Sequence, residues 1–232
     1  MKKQIAVAVA LASISSLSLA QGKPQQNAGW YGGLSGGRSS TSFTTQDFSV
    51  SAYNRLYPAS AGLISESTDK RGSAWRIFVG YSFDQNWGLE GAYTGLGDAK
   101  FKLAGTGAPY AVGQAATLKQ THDSWSLAVK GTLPVSKEFD IFALLGATSN
   151  RTSLNRSATG QFATDMAAFS SSSNSKGYGM GGLGVEFKPT PKIGIRAEYQ
   201  NYGKFGEQLQ AATGKSGRAS VDTWLIGASF KF

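Results

Sequence analysis

The segment that most constrains the fold is the last one, residues 222–232, where side-chain character alternates up to a terminal aromatic residue. A period of two places alternate side chains on opposite faces of a β-strand. One face is then large and apolar, and the other is mostly polar or small. The apolar face consists of Trp224, Ile226, Ala228, Phe230 and Phe232. This pattern predicts a strand with one face towards lipid, of the kind that closes a membrane β-barrel.

Residues 1–20 have the composition of a secretory signal. Lys2 and Lys3 are followed by an apolar run that is too short to span a bilayer, and small residues precede Gln21. We predict cleavage after Ala20, a short periplasmic lead-in at 21–27 and an outer-membrane barrel domain at 28–232. A short N-terminal anchor helix is the alternative.

Composition fits one β domain. The 232-residue chain has 30 glycines, 12% aromatic and only 16% charged residues, which favours many strands joined by turns. There is no cysteine, so an exported chain must be held together without disulfides. Removing Lys2 and Lys3 lowers the formal charge from +9 to +7. No aromatic and basic recognition motif accompanies this charge, so we expect no nucleic-acid partner.

The mature chain contains about eight alternating segments, each near the length of a tilted membrane strand. In the clearest one, 73–84, aromatic residues lie at both ends of the apolar face and aliphatic residues between them, as expected for a strand that crosses two interfaces. The segments are 29–39, 73–84, 87–96, 124–134, 139–147, 178–188, 193–202 and 222–232.

The connections between these segments alternate in length. Short turns are predicted at 84–86, 136–138 and 190–192, and long polar loops at 40–72, 97–121, 148–176 and 203–218. Short periplasmic turns and long extracellular loops are typical of outer-membrane barrels. We therefore predict an all-β fold, an eight-stranded antiparallel transmembrane β-barrel, in which the serine-rich run 171–175 is a mobile loop.

Residues 184–200 resemble the last hairpin of the OmpA-type outer-membrane barrel family. They read as a glycine–valine–glutamate–aromatic strand, a proline turn and an arginine–x–glutamate–tyrosine–glutamine strand, and residues 128–134, 140–142 and 225–232 are similar to other strands of that family. The resemblance implies a monomer of the bacterial outer membrane that contacts membrane lipid and lipopolysaccharide and is inserted by the barrel assembly machinery. OmpA itself continues into a periplasmic peptidoglycan-binding domain, so we do not expect this chain to bind peptidoglycan.

The period of two places four charged residues inside the barrel: Glu90, Lys130, Glu186 and Arg196. Each lies about four to six residues from a short turn, which predicts a common level near the periplasmic end. Buried charges are tolerated when they are paired, so the opposite charges should face each other. The resemblance implies the same cluster, discussed in OmpA-type barrels as a plug or gate for small solutes. The alternative is a structural network that fills a lumen packed shut.

The only histidine, His122, is two residues from Ser124. Some outer-membrane lipid A deacylases are eight-stranded barrels with a His-x-Ser pair and a nearby glutamate, for which Glu138 is the candidate. However, if Trp125 faces lipid, His122 and Ser124 face inwards, away from a lipid substrate, and Glu138 belongs to the opposite turn. One histidine, no cysteine and scattered acids also predict no metal site and no cofactor.

We therefore expect a non-enzymatic outer-membrane protein that contributes to membrane structure and integrity, with surface interaction or minor solute passage. The alternatives are a lipid A-modifying hydrolase and a soluble lipocalin-like binder. A terminal aromatic after alternating apolar residues resembles the assembly signal of such barrels, which assigns that role to Phe230 and Phe232. Loop cations could contact lipopolysaccharide phosphates or simply keep the loops soluble. They are Arg55, Lys70, Arg71, Arg151, Arg156, Lys215 and Arg218.

Overall fold

The computed structural model describes residues 28–43, 50–167, 172–206 and 218–232. The predicted signal peptide at 1–20, its cleavage after Ala20 and the lead-in at 21–27 lie outside the described residues. No helix among the described residues is both long enough and apolar enough to cross a bilayer.

Strands dominate the described part of the chain. The strands are β1 (Gly29–Phe43), β2 (Ile64–Asp69), β3 (Arg71–Ser82), β4 (Trp87–Gly105), β5 (Ala115–Pro134), β6 (Phe139–Ala158), β7 (Ser172–Thr190), β8 (Ile193–Phe205) and β9 (Ala219–Lys231). Two short helices, α1 (Val50–Leu56) and α2 (Gln161–Asp165), and a 3-10 turn at Pro58–Ser60 lie in the loops.

The sheet closes on itself because its first strand pairs with its last. β1 pairs antiparallel with β9 from Tyr31↔Lys231 to Phe43↔Ala219, and on its other side with β3. β2 and β3 both pair with β4, so together they occupy one position in the wall. The remaining strands pair antiparallel in chain order. The predicted eight-stranded antiparallel barrel is confirmed.

Side chains of the wall alternate between lipid and lumen as the period of two predicts. On β3, Trp75, Ile77 and Val79 are 47–58% exposed, whereas Arg76 and Phe78 between them are 1% and 3% exposed. Two aromatic belts mark the membrane interfaces. The belt beside the short turns contains Trp30, Tyr81, Phe83, Phe187 and Phe230, and the belt towards the long loops contains Trp75, Tyr93, Trp125, Tyr199 and Trp224.

The short connections are tight hairpins, as predicted. β3 ends at Ser82 and β4 begins at Trp87, β5 ends at Pro134 and β6 begins at Phe139, and β7 ends at Thr190 and β8 begins at Ile193. In the first of these turns Asp84 Oδ1 accepts hydrogen bonds from the backbone N–H groups of Asn86 and Trp87, each at 2.7 Å. Such a side-chain contact fixes the turn locally.

The predicted ends of the strands towards the long loops are wrong, because β4, β5, β6 and β7 continue well beyond them. In these extensions the pattern inverts: Phe101 and Leu103 on β4 face inwards and are buried, whereas Lys100 and Lys102 are exposed. A search for apolar side chains facing lipid cannot find such a strand. The prediction that 171–175 is a loop is also wrong for 172–175, since β7 pairs there with β6.

The upper end of β8 separates from β7 but stays paired with β9. Its ladder with β7 ends at Gly181↔Asn201, although β8 continues to Phe205. Gly203 has a φ of +71°, a conformation that favours glycine. Beyond the ladder, Asn150 Nδ2 on β6 donates to the carbonyl oxygens of Tyr202 at 2.6 Å and Lys204 at 3.0 Å. A side chain of β6, the next strand but one in the wall, thus takes the place of contacts with β7.

Candidate functional site

A ring of four charged side chains lies at the centre of the lumen. Arg196 places Nη1 3.0 Å from Glu90 Oε2 and Nη2 3.3 Å from Glu198 Oε2. Arg76 contacts the other oxygen of each acid, Glu90 Oε1 at 2.7 Å and Glu198 Oε1 at 3.5 Å. Each carboxylate therefore contacts both guanidiniums. All four side chains are almost completely buried, and each charge is compensated by a partner.

A second ion pair lies on the periplasmic side of the ring. Lys130 Nζ is 3.0 Å from Glu186 Oε2, and Ser229 on β9 donates to the other oxygen of this acid. The ring of Phe142 joins the two groups, since Lys130 Nζ lies 4.8 Å and the Arg196 guanidinium 4.4 Å from its centroid. Cations over an aromatic face are stabilised by its quadrupole. The ring of four charged side chains and the Lys130–Glu186 pair form one assembly, which we call the lumen cluster.

The structure brings together all four sequence-predicted cluster residues, Glu90, Lys130, Glu186 and Arg196, and adds Arg76 and Glu198. Both added residues have the inward parity of their strands, and Glu198 is two positions from Arg196. A search for every charged residue of inward parity would have found them. The sequence prediction named only four of the inward-facing charges and left out Arg76 and Glu198.

Polar side chains continue the lumen cluster towards the long loops. Gln200 Nε2 donates to Glu198 Oε2 at 2.9 Å, and the Tyr202 hydroxyl donates to Gln200 Oε1 at 2.6 Å. Tyr202 also lies 3.0 Å from the hydroxyl of Thr94 on β4. The backbone carbonyl of Tyr202 accepts from Asn150, as described above. This chain of contacts fills the lumen with side chains over most of the membrane-spanning height.

A cavity of about 610 Å³ opens between the short turns, at the periplasmic end. It reaches inwards as far as Lys130 and Glu186, which line it, whereas Arg76 and Arg196 do not. Asp140 and Lys188 form an ion pair of 2.7 Å on its wall. The cavity is therefore a vestibule that ends at the lumen cluster.

The described parts of three long loops form a cap over the opposite end of the barrel. Three tyrosine hydroxyls converge on α2: Tyr53 and Tyr110 donate to Asp165 Oδ2 at 2.8 and 2.6 Å, and Tyr57 donates to the Asp165 backbone carbonyl. Burial, followed by the hydrogen bond to Asp165, raises the pKa of Tyr110 to about 12. The cap also has an apolar core of its own. That core consists of Tyr53, Phe101, Leu103, Tyr110, Ala116, Leu118, Leu154, Phe162 and Met166.

The residues considered for a deacylase do not form a catalytic arrangement among the described residues. His122 Nδ1 lies 3.3 Å from Thr152 Oγ1, and its ring packs edge-on against Phe205. Ser124 Oγ donates to Asn150 Oδ1 at 2.7 Å rather than to the histidine. Glu138 lies in the turn before β6, at the other end of the barrel. The described residues also contain no group of three or more potential metal ligands.

Phe230 and Phe232 lie at the periplasmic end of β9, beside the start of β1. Their rings are 5.4 Å apart, and the backbone N–H of Phe232 donates to the Trp30 carbonyl at 3.0 Å. Both side chains are exposed on the lipid-facing side. Their role as an assembly signal stays a prediction.

The profile of the outer membrane protein beta-barrel domain family matches residues 6–232. The chain belongs to this family. Outer membrane protein P5 of Haemophilus influenzae is 22% identical over 237 residues, which cover 99% of this chain and 60% of the relative. Outer membrane protein A of Serratia marcescens is 28% identical over 235 residues, covering 100% and 56%. The chain thus spans less than two thirds of the length of these curated relatives.

Membership of the outer membrane protein beta-barrel domain family assigns the protein to the bacterial outer membrane. Solved barrels are similar over most of their length. OprG of Pseudomonas aeruginosa is 16% identical, with 90% of this chain and 98% of OprG covered and a TM-score of 0.49. Neisserial surface protein A is 15% identical, with 89% and 100% covered and a TM-score of 0.47.

Proposed function

We propose that this outer-membrane barrel is a non-enzymatic protein that contributes to the structure and integrity of the membrane, with a lumen closed at rest. The observation that supports the closed lumen is the reciprocal ring of Arg76 and Arg196 with Glu90 and Glu198. An eight-stranded barrel is only wide enough for its interior to be filled by side chains. Any minor passage of small solutes then requires these ion pairs to separate.

Separating the ion pairs of the ring costs free energy, because each buried charge would lose its partner in a lumen from which water is largely excluded. Arg196 is the critical member, since it contacts both acids of the ring and packs on Phe142, which also packs on Lys130. Removing it leaves two carboxylates with Arg76 as their only guanidinium partner. The lumen cluster therefore acts as a plug that one substitution should weaken.

Conductance across a planar bilayer tests the plug. The purified wild-type protein should show no sustained open level, whereas Arg196→Ala should show resolved conductance steps. Lys119→Ala is a matched control, since it removes a cation from an exposed ion pair with Asp98 far from the ring. A stable open pore in the wild type would reject the closed lumen. Wild-type conductance together with wild-type stability in Arg196→Ala would reject the role of the cluster.

Loss of the protein tests the contribution to membrane integrity. A strain without it should become more sensitive to detergent, and expression of the wild type should restore resistance. Unchanged sensitivity in the deletion strain would contradict the proposal.

The absence of enzymatic activity is supported by the inward position of His122 and Ser124 and by their separate hydrogen-bond partners. Mass analysis of lipid A from cells with and without the protein tests it. The two lipid profiles should be identical. A mass change that depends on Ser124 would favour the lipid A-modifying hydrolase instead.

The proposed partners are membrane lipid, lipopolysaccharide and the barrel assembly machinery, and the protein is proposed to act as a monomer. The cap supports surface interaction, because three loops are held in one ordered unit at the outer face. Lipopolysaccharide contact is supported by exposed cations such as Arg71 and Arg151 beyond the outer aromatic belt. Lys215, another predicted contact, lies outside the described residues.

A further inference from the structure

Two arginines and two tryptophans form a patch on the lipid-facing side of β9, β1 and β3. Arg38 on β1 is directly opposite Trp224 on β9 and opposite Ser73 on β3. The diagonal neighbours of Arg38 on β3 are therefore Arg71 and Trp75, which on a sheet lie about 7–8 Å away. All of these side chains are exposed. We call Arg38, Arg71, Trp75 and Trp224 the arginine–tryptophan patch.

The patch lies at the depth of lipid headgroups. Trp75 and Trp224 belong to the outer aromatic belt, and the ladder of β1 places Leu34, with Ile77 opposite it, on the membrane side of the patch. From Leu34 to Arg38 is about 13 Å along the strand at ~3.3 Å per residue. Tryptophan prefers the interface between hydrocarbon and headgroups. Arg38 is thus level with that interface, and Arg71 lies slightly above it.

Acids near the patch are already engaged with other groups. Asp222, diagonal to Arg38 on β9, accepts from the Tyr199 hydroxyl at 2.9 Å and from Asn201 Nδ2 at 2.5 Å. Asp69 accepts from the backbone N–H of Arg71 at 3.1 Å. Within the described ranges, neither arginine side chain has a salt-bridge partner. An anion from the surrounding leaflet would therefore meet two uncompensated cations.

We propose that the arginine–tryptophan patch binds the phosphate monoester of an outer-leaflet glycolipid of the lipopolysaccharide type. A phosphate monoester carries about −1.5 to −2 charges and three acceptor oxygens at neutral pH, enough for two guanidiniums. The planar guanidinium fork matches phosphate geometry, and the bonds are charge-assisted. A phospholipid diester offers one charge and fits the pair less well. The inference rests on the proposed contact with lipopolysaccharide and adds its location and its ligand group.

A second group of cations provides a matched control. Lys100 and Lys102 on β4 are exposed on the outer face of the barrel, like the arginines. They lie farther from the membrane, because Tyr93 marks the aromatic belt on the same strand and a bulge follows at Gly95. Removing both lysines changes the net charge as much as removing both arginines, but it alters no residue at the depth of the lipid headgroups.

Lipid retention tests the site. The wild type, Arg38→Gln with Arg71→Gln, and Lys100→Gln with Lys102→Gln are refolded in zwitterionic vesicles that contain a small fraction of phosphorylated lipid A, dephosphorylated lipid A or phosphatidylglycerol. Lipid that remains with the purified barrel is quantified by mass spectrometry. All three proteins must first show the heat-dependent gel shift of a folded barrel, which these exposed substitutions should preserve.

The wild type and the lysine variant should retain phosphorylated lipid A over both other lipids. The arginine variant should lose that retention roughly tenfold, as expected when two charge-assisted hydrogen bonds are removed. Equal loss in both variants would show a general charge effect and overturn the site. Equal retention of phosphatidylglycerol would overturn the phosphate monoester. If the wild type retains no phosphorylated lipid, the proposed lipopolysaccharide contact itself fails, whereas retention in all three proteins rejects this patch alone.

Discussion

Arg196 Nη1 and Glu90 Oε2 lie 3.0 Å apart in the middle of the barrel, although 106 positions separate the two residues along the chain. β8 and β4 are not neighbours in the wall, so their contact crosses the lumen. Both residues are almost completely buried. A contact of this kind links distant parts of the ladder and should contribute to the stability of the whole barrel.

Arg196→Ala should lower the free energy of unfolding by about 3–5 kcal/mol, because breaking a buried ion pair leaves an uncompensated charge. Urea unfolding in lipid vesicles, followed by tryptophan fluorescence, measures the change. Lys119→Ala should cost at most about 1 kcal/mol, since its ion pair with Asp98 is partly exposed. Equal losses in the two variants would contradict the role of the ring.

Two of the three acids of the lumen cluster, Glu90 and Glu186, should respond differently to loss of charge. Glu90 contacts Arg76, Arg196 and the Tyr31 hydroxyl, so Glu90→Gln should cost about 3–5 kcal/mol. Glu186 has one cationic partner and borders the vestibule, so Glu186→Gln should cost about 1.5–3 kcal/mol. The same unfolding assay ranks them. A larger loss of unfolding free energy for Glu186→Gln would show that the Lys130–Glu186 pair contributes more to stability than the ring of Arg76, Arg196, Glu90 and Glu198.

The seam between β1 and β9 should be sensitive to a single methyl group. A Cβ at Gly37 would overlap the carbonyl oxygen of Trp224, whereas a Cβ at Gly36 has no atom within 4 Å. Gly37→Ala should therefore reduce the folded fraction on a heat-modifiability gel, and Gly36→Ala should match the wild type. If both alanines are tolerated, the seam can adjust more than its close packing suggests.

Stability of the cap should fall at alkaline pH. The raised pKa of Tyr110 means that the folded cap favours the neutral phenol, so this contribution is complete below about pH 10 and is lost as pH approaches about 12. Proteinase K should cleave residues 50–63 faster at about pH 11.5 than at about pH 9. Tyr110→Phe should already be cleaved faster at the lower pH and change less between the two. A pH dependence identical to that of the wild type would exclude Tyr110 as its source.

Phe232→Ala should impair insertion more than it impairs the folded barrel. The substitution keeps the backbone hydrogen bond to Trp30 and removes only an exposed side chain. Phe83→Ala, at an exposed aromatic of the belt beside the short turns, is the control. The yield of inserted protein in cells should fall for Phe232→Ala alone, while urea unfolding of the inserted material should be similar for both. A parallel fall in yield for both variants would argue against an assembly signal.

The period of two was sufficient to predict the wall and to place Glu90, Lys130, Glu186 and Arg196 in the lumen, because alternation is a local property of a strand. It did not predict the strand extensions beyond the outer belt, where the apolar side chains of Phe101 and Leu103 turn inwards. The contacts of Asp165 with Tyr53 and Tyr110 could not be predicted from the sequence either. They join three loops, and no local sequence pattern indicates which loops contact each other.

The hydrogen bonds from Tyr53, Tyr57 and Tyr110 to Asp165, which we call the tyrosine clasp, have a consequence for antibody recognition. Tyr53, Tyr110 and Asp165 hold together segments that are far apart in the chain, so we expect an epitope on the outer surface of the cap to combine residues of three loops. Antibodies raised against the intact barrel should therefore bind the native cap and fail on linear peptides. Immunisation with a peptide from one loop would present conformations that the clasp excludes.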